Sequence, residues 1–276
     1  MAEALALIYV LLAAPLVIAA LWFFAEVAAS RSTASVDDPR RAPEPIAVVI
    51  PAHNEESVLA ATLVNLQPQL RPADRLVVVA DNCTDQTAEV ARQHGAEVLV
   101  RTNSALRGKG YALQHGLDHL RKDPPETVIF TDADCQHTDG LIPSLARITE
   151  ITNAPVQPLY AMHAPEGSGP ARAVAEFAWL LMNEVRIQGL FRLTGGTRIT
   201  GAGQAFPWAI AETLNLASGE IVEDTALTLD LAKRGIRTRY VAEHRVSSTF
   251  PVDDEAAVVQ RARWEHGSLS IQRRVA

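Results

Sequence analysis

Cysteine is scarce. Cys83 and Cys135 are the only two in the chain, and neither belongs to a CxxC pair. That usage excludes a disulfide framework and suits a reducing compartment. A zinc site built from Cys83, Cys135, His94 and His137 fails on ligand spacing. Basic residues are also in deficit: 25 Lys and Arg face 32 Asp and Glu, a formal net charge of -7. A general nucleic-acid binder needs a basic surface to neutralise phosphate, so that class is excluded. Glycine-rich phosphate motifs are missing as well. No GxxxxGK[ST] occurs, and no GxGxxG follows the first apolar run. The main signals of P-loop and simple dinucleotide sites are thereby removed.

One long uncharged stretch stands out. From Leu5 to Ala25, "LALIYVLLAAPLVIAALWFFA", there is no charged residue, and about 20 helical residues span a hydrocarbon core. Glu3, with no Lys or Arg before the stretch, speaks against the basic start of a signal peptide. Trp22, Phe23 and Phe24 lie near one end, as interfacial aromatics do. Arg31, Arg40 and Arg41 follow on that side, which puts the remainder of the chain in the cytoplasm by the positive-inside rule. The expectation is one transmembrane helix over 1–30, with a buried soluble helix as the alternative. Residues 31–45, polar and Pro-rich, read as a linker. Residues 46–276 suffice for one large domain.

In that domain short apolar runs alternate with amphipathic stretches. Strands are expected at 46–51, 75–80, 96–100 and 127–130. Helices are expected at 55–66, 84–95 and 109–122, then at 171–191, 223–235 and 253–267, the last closed by Gly267. Continuous β-branched runs between amphipathic helices predict a mostly parallel sheet covered on both faces.

Ligands of such sheets bind beyond the carboxyl ends of the strands. Four polar clusters follow the first four strands: "PAHNEE", "DNCTD", "RTNSALRGKG" and "TDADCQH". Asp132 and Asp134 share one side if the chain stays extended. Two such carboxylates suit a hard divalent cation completed by substrate phosphates, with Arg107 and Lys109 able to meet the same phosphates. The competing reading is that either acid caps a helix beginning near Thr138 or Asp139. Glu223 and Asp224 open a later helix, where the dipole keeps a carboxylate ionised, with a low pKa, and able to accept a proton. Gln260, Arg263 and Trp264 share one helical face, fit for the floor of a sugar site or, for Trp264, for core packing.

The ordered set "VVIPAHNEE", "VVVADNCTDQT", "RGKGYAL", "TDADC", "VEDTALTLDLAKRG" and "QRARW" resembles the membrane-bound family 2 glycosyltransferases, in the branch of cellulose, hyaluronan and poly-N-acetylglucosamine synthases. The likeness runs over about residues 46–266. It implies a GT-A fold and an inverting transfer from a nucleotide sugar, usually UDP-linked, with Mg²⁺ or Mn²⁺. By the same resemblance, Pro51, Ala52, His53 and Glu55 line the nucleoside site, and Asp81 contacts the base. Lys109 lies near the diphosphate, Asp132 meets the donor's ribose or sugar, and Asp134 holds the metal, with Asp132 beside it. Asp224 is the general base with Glu223 next to it. Gln260, Arg263 and Trp264 bind the diphosphate and the acceptor end, and the loop of Gly201, Ala202 and Gly203 lines the acceptor cleft.

Two departures bear on this expectation. The acid pair after the second strand appears as Ala80-Asp81, one acid short. The sequence also stops at Ala276, soon after "QRARW", where synthases continue into further spans. The expectation is a chain cut before those spans, or an enzyme that does not export its product. The acceptor is a saccharide or a lipid, since the apolar segment 171–191 suits either a membrane surface or a buried core. The alternatives are a membrane-anchored, inactive nucleotide-binding relative and a nucleotidyltransferase.

Overall fold

The computed structural model describes residues 2–31, 44–217 and 222–275. Most of the expected linker, with Arg40 and Arg41, lies outside the described residues.

The first apolar run becomes strand β1 (Ile46–Ala52), followed by helix α2 (Leu59–Leu66); α1 is the N-terminal helix (Ala2–Ala29). Next come β2 (Arg75–Asp81), α3 (Thr87–Gln93), β3 (Glu97–Arg101), α4 (Lys109–Leu120) and β4 (Thr127–Phe130). Three pairings, β1 with β2, β1 with β4 and β2 with β3, are parallel. The continuous apolar runs arise because both faces are covered. Val48 and Ile50 face a core shared with α2, while Ala47 and Val49 face one shared with α4.

Beyond β4 the order is β5 (Gln136–His137), α5 (Leu141–Thr152), β6 (Val156–His163), α6 (Pro170–Leu180), α7 (Arg186–Thr194), β7 (Gln204–Pro207), α8 (Trp208–Ala211), α9 (Glu223–Lys233), β8 (Arg239–Thr249) and α10 (Asp254–Val275). The sheet runs β3-β2-β1-β4-β7-β6-β8-β5. β7 joins β4 antiparallel and β5 joins β8 antiparallel, so the sheet is mixed.

Several expected boundaries move. The helix expected from Glu55 begins at Leu59, because residues 55–58 form a turn in which the Glu55 carbonyl receives both the Val58 and the Leu59 amides. The single helix expected over 171–191 is broken by a π-helical stretch at Leu181–Val185 between α6 and α7. The last helix does not stop at Gly267: α10 runs through it to Val275. Gly267 is buried, and a mid-helix glycine costs only about 1 kcal/mol relative to alanine.

Within α1, Tyr9–Ala29 is a 21-residue stretch of mean hydropathy 2.3, long and apolar enough to cross a membrane. The helix continues through Pro15. Leu12, Leu16, Ile18, Leu21 and Phe24 on its surface are exposed. Its C-terminal turns dock on α7. Gly189 is required there: a Cβ at that position would lie 1.9 Å from the Glu26 carbonyl oxygen. The buried Glu26 carboxylate takes a hydrogen bond from Trp22 Nε1 at 2.9 Å and pairs with Arg186 Nε at 2.5 Å.

Candidate active site

The loops after β1 and β2 are laced together. Asn54 and Asn82 each follow a strand and adopt left-handed backbone, with φ of 57° and 52°, a conformation asparagine tolerates better than most residues. The side-chain carbonyl of Asn54 accepts the Thr84 amide at 2.8 Å, and that of Asn82 accepts the Asn103 amide at 2.8 Å. The Glu55 amide donates to Thr87 Oγ1 at 2.8 Å, whose hydroxyl donates onward to Asp85 at 2.6 Å. This lacing gathers Pro51, Ala52, His53, Glu55 and Asp81 along one edge.

Asp81 is already engaged. It is buried and pairs with Arg101 at 2.5 Å, and the guanidinium lies over the Tyr111 ring, 5.5 Å from its centroid. His53 Nδ1 stands 2.7 Å from the Asp81 carbonyl. Arg101 carries no motif, and only its place at the end of β3, one strand from Asp81, signals the contact.

The two acids after β4 do not lie on an extended strand. β4 ends at Phe130, and Ala133 and Asp134 form a turn. The turn still brings carboxylate oxygens of Asp132 and Asp134 and the Cys135 sulfur within 4.8 Å of one another. Neither acid caps the following helix, since α5 starts at Leu141 behind Gly140 with no side-chain cap. The buried Cys135 thiol is pushed up by burial and by both neighbouring acids, which keeps it protonated. The donor set is thus two hard carboxylates beside a thiol, a set that fits Mg²⁺ or Mn²⁺. Glu55 faces the same turn. Burial, then the charges of Asp134 and Asp132, raise its pKa to about 7.

Lys109, the first residue of α4, ties this turn to distant segments. Its ammonium lies 2.5 Å from Asp132 Oδ1 and 3.4 Å from Glu223 Oε1, and it donates to the Gly201 carbonyl at 2.7 Å. Burial opposes its charge, but Asp132 and Glu223 outweigh that and hold its pKa above the ordinary lysine range. Arg107, by contrast, is exposed on the preceding loop.

Asp224 adjoins this cluster: a Cβ on Gly201 would sit 3.7 Å from Asp224 Oδ2. Its pKa is not low, contrary to the helix-terminus expectation. Burial first, and then the charge of Glu223, raise it, against weaker opposing effects of the Thr225 amide, Lys109 and Arg198. The macrodipole is outweighed by desolvation and by a like charge in the same turn.

The Gly201–Gly203 loop is strapped by Gln157, a buried residue of β6 that sequence patterns did not single out. Its amide accepts from Thr200 N at 2.9 Å and donates to Ala202 O at 3.0 Å. Gly203 has φ of 74°, and a Cβ there would lie 2.4 Å from Val246 Cγ2, so no side chain fits.

Gln260, Arg263 and Trp264 stand apart from the Lys109 cluster. Among the described residues no hydrogen bond or ion pair joins Gln260 or Arg263 to it, and Arg263 is exposed. Trp264 packs on Trp179, with ring centroids 5.4 Å apart. Trp179 in turn meets Tyr160 and Phe250 edge-on. The core-packing reading of Trp264 therefore holds in this structure.

Comparison with known proteins agrees with this architecture. Residues 43–267 match the family described as Glycosyltransferase like family 2. A 4,4'-diaponeurosporenoate glycosyltransferase of Staphylococcus haemolyticus is 33% identical over 129 residues, 44% of this chain and 33% of that protein. The chain spans about a third of the length of curated relatives such as this one. Among solved structures, the mannosyltransferase PcManGT from Pyrobaculum calidifontis in complex with GDP-Man and Mn²⁺ superposes with a TM-score of 0.66 at 20% identity, covering 89% of this chain and 68% of that one. Glucosyl-3-phosphoglycerate synthase from Mycobacterium tuberculosis, bound to Mn²⁺, UDP and phosphoglyceric acid, gives 0.53 at 20% identity, over 81% and 78%. The parallel β3-β2-β1-β4 half, the antiparallel β7 beside it and the match over 43–267 lead to one conclusion: the chain has the GT-A fold and belongs to the Glycosyltransferase like family 2.

Proposed function

We propose that the chain is a metal-dependent, inverting glycosyltransferase of the membrane-bound branch that includes the cellulose and hyaluronan synthases. It moves a sugar from a UDP-linked donor to a hydroxyl of a saccharide or lipid acceptor. The observation that carries this reading is the Lys109 ammonium, which joins Asp132, Glu223 and the Gly201 carbonyl at one point. Residues 46–276 form the catalytic domain on the cytoplasmic side of an inner or plasma membrane, 31–45 a linker and 1–30 the membrane helix.

Asp134, with Asp132, holds Mg²⁺ or Mn²⁺. When bound, the ion supplies positive charge where the nucleoside diphosphate leaves. Lys109 neutralises part of the same charge from the first turn of α4. Pro51, Ala52, His53, Glu55 and Asp81 take the nucleoside, with Asp81 already oriented by Arg101. Asp224 accepts the proton of the acceptor hydroxyl as its oxygen bonds to the anomeric carbon and the bond to the β-phosphate oxygen breaks. A raised pKa suits that task, because a base works best nearer the ambient pH. One attack from the opposite face inverts the anomeric configuration. Gly201 and Gly203 shape the acceptor cleft. Gln260 and Arg263 serve the diphosphate and acceptor side, where α10 approaches α9, and Trp264, packed on Trp179, anchors their helix.

A lipid surface suits the exposed apolar residues of α6, Val174, Phe177 and Leu180. They lie on the unit that continues into α7, where α1 docks. An inactive nucleotide-binding relative would have no need of the cluster around Asp224.

The test is transfer by purified protein with Mn²⁺, native membranes and a panel of labelled UDP- and GDP-sugars, scored for lipid-soluble against polymeric product. Asp224→Asn is expected to bind donor normally and to lose transfer by at least ~100-fold. Transfer near the wild-type rate would remove Asp224 from the role of base.

A further inference from the structure

The turn that carries Asp132 and Asp134 is gripped from behind by one face of α2. Thr62 and Asn65, three residues apart, fall on one stripe of α2, and Gln69 lies in the 3-10 turn that follows it. Thr62, fully buried, donates its hydroxyl to the Ala133 carbonyl at 2.7 Å, between the two acids. Asn65 holds both backbone groups of His137: Oδ1 accepts from its amide at 2.7 Å, and Nδ2 donates to its carbonyl at 3.0 Å. Gln69 accepts the Ile142 amide at 3.2 Å, already in α5.

The His137 ring closes the turn from inside. Its Nε2 lies 2.8 Å from Thr131 Oγ1 and its Nδ1 lies 3.1 Å from Asn65 Oδ1. An amide oxygen only accepts, so Nδ1 carries a proton. Burial lowers the ring's pKa to about 4, so it is neutral and its free Nε2 receives the Thr131 hydroxyl. Residues 131 and 137, which flank the acids, are tied to each other and to α2. On the far side β5 pairs with β8, Gln136 opposite Ser247.

We infer that Thr62, Asn65 and His137 are positioning residues that fix the separation of the Asp132 and Asp134 carboxylates for the divalent ion; this rests on the metal reading proposed above. Two like charges on one short turn push it open. Hydrogen bonds to the carbonyl between them and to the segment's end oppose that opening before any ion arrives. Partners in the outer shell of a metal site typically change metal affinity by 10–100-fold when removed. A purely structural role would lower thermal stability and leave metal affinity where it was.

The experiment measures Mn²⁺ binding with UDP by loss of the free-ion EPR signal, alongside melting without metal. Thr62→Val and Asn65→Ala are each expected to weaken Mn²⁺ binding by ~10-fold or more. Thr62→Ser, which keeps the hydroxyl, is expected to stay near wild type. Gln69→Ala, which touches α5 and not the turn, is expected to lower the melting temperature alone. Unchanged Mn²⁺ affinity in Thr62→Val and Asn65→Ala would overturn the inference, and so would equal losses in Thr62→Ser and Thr62→Val. Should Thr62→Val fail to fold, the half-exposed Asn65 carries the same test. A wild-type protein that binds no Mn²⁺ in the presence of UDP would instead overturn the metal reading itself.

Discussion

Lys109 Nζ stands 2.5 Å from Asp132 Oδ1, the first at the start of α4 and the second on the loop after β4. This ion pair connects the Asp132–Asp134 turn to the helix that bears Glu223 and Asp224. Replacing Lys109 with Met leaves Asp132 and Glu223 facing each other without a counter-charge. The expected cost is about 2 kcal/mol, the scale of a hydrogen bond to a charged group, measured by urea unfolding without metal. Adding Mn²⁺ and UDP should recover part of the loss. Unfolding midpoints equal to wild type would mean that the pair contributes nothing.

Glu55 gives the metal-free protein a distinctive pH dependence. Its folded pKa, about 7, exceeds the ordinary value of 4.5. Between those two values the folded state binds more protons than the unfolded state, so stability falls as pH rises through that window. Relative to the difference between the two proteins below pH 4, Glu55→Gln should therefore gain on wild type as pH rises and melt higher at pH 8. Binding of a divalent ion favours the ionised carboxylate, so it should release a proton near pH 6.5, detectable by calorimetry in buffers of different ionisation enthalpy. Parallel melting curves for the two proteins across this range would refute the account.

Arg186 neutralises a buried acid at the end of the apolar helix. Glu26 is 3% exposed and Arg186 Nε lies 2.5 Å away. Arg186→Met strands that charge, at a cost of roughly 3–5 kcal/mol if Glu26 remains ionised. The double change Glu26→Gln with Arg186→Met should regain much of the loss. A double-mutant cycle on detergent-solubilised protein measures the coupling, and additive losses would deny the pair any role.

The sequence conveyed the parallel half of the fold because its strands are short, apolar on both faces and closed by turn residues. β6 and β8 escaped notice for physical reasons. Pro158 interrupts the first, and the second carries three consecutive polar residues, Glu243, His244 and Arg245, in its middle. Both pair mainly with each other, far along the chain from β1. At the site, the acids and Lys109 were legible because two carboxylates so close together repel each other without a cation between them, and a nearby basic residue suits the phosphates that such a cation carries. The pairing of Asp81 with Arg101 was not, since register between β2 and β3 decides it. The grip of Thr62 and Asn65 was hidden because polar residues on a helix ordinarily face water. The raised carboxyl of Asp224 depends on burial, which a linear pattern does not carry.

The two left-handed asparagines have a consequence for how a donor is received. Asn54 and Asn82 each spend their side-chain carbonyl on the amide of a neighbouring loop. The rim beyond β1 and β2 is therefore a woven selvedge, finished by the fold itself. A ligand arriving there meets a surface that needs no ordering, so little conformational entropy is lost on that side of the site.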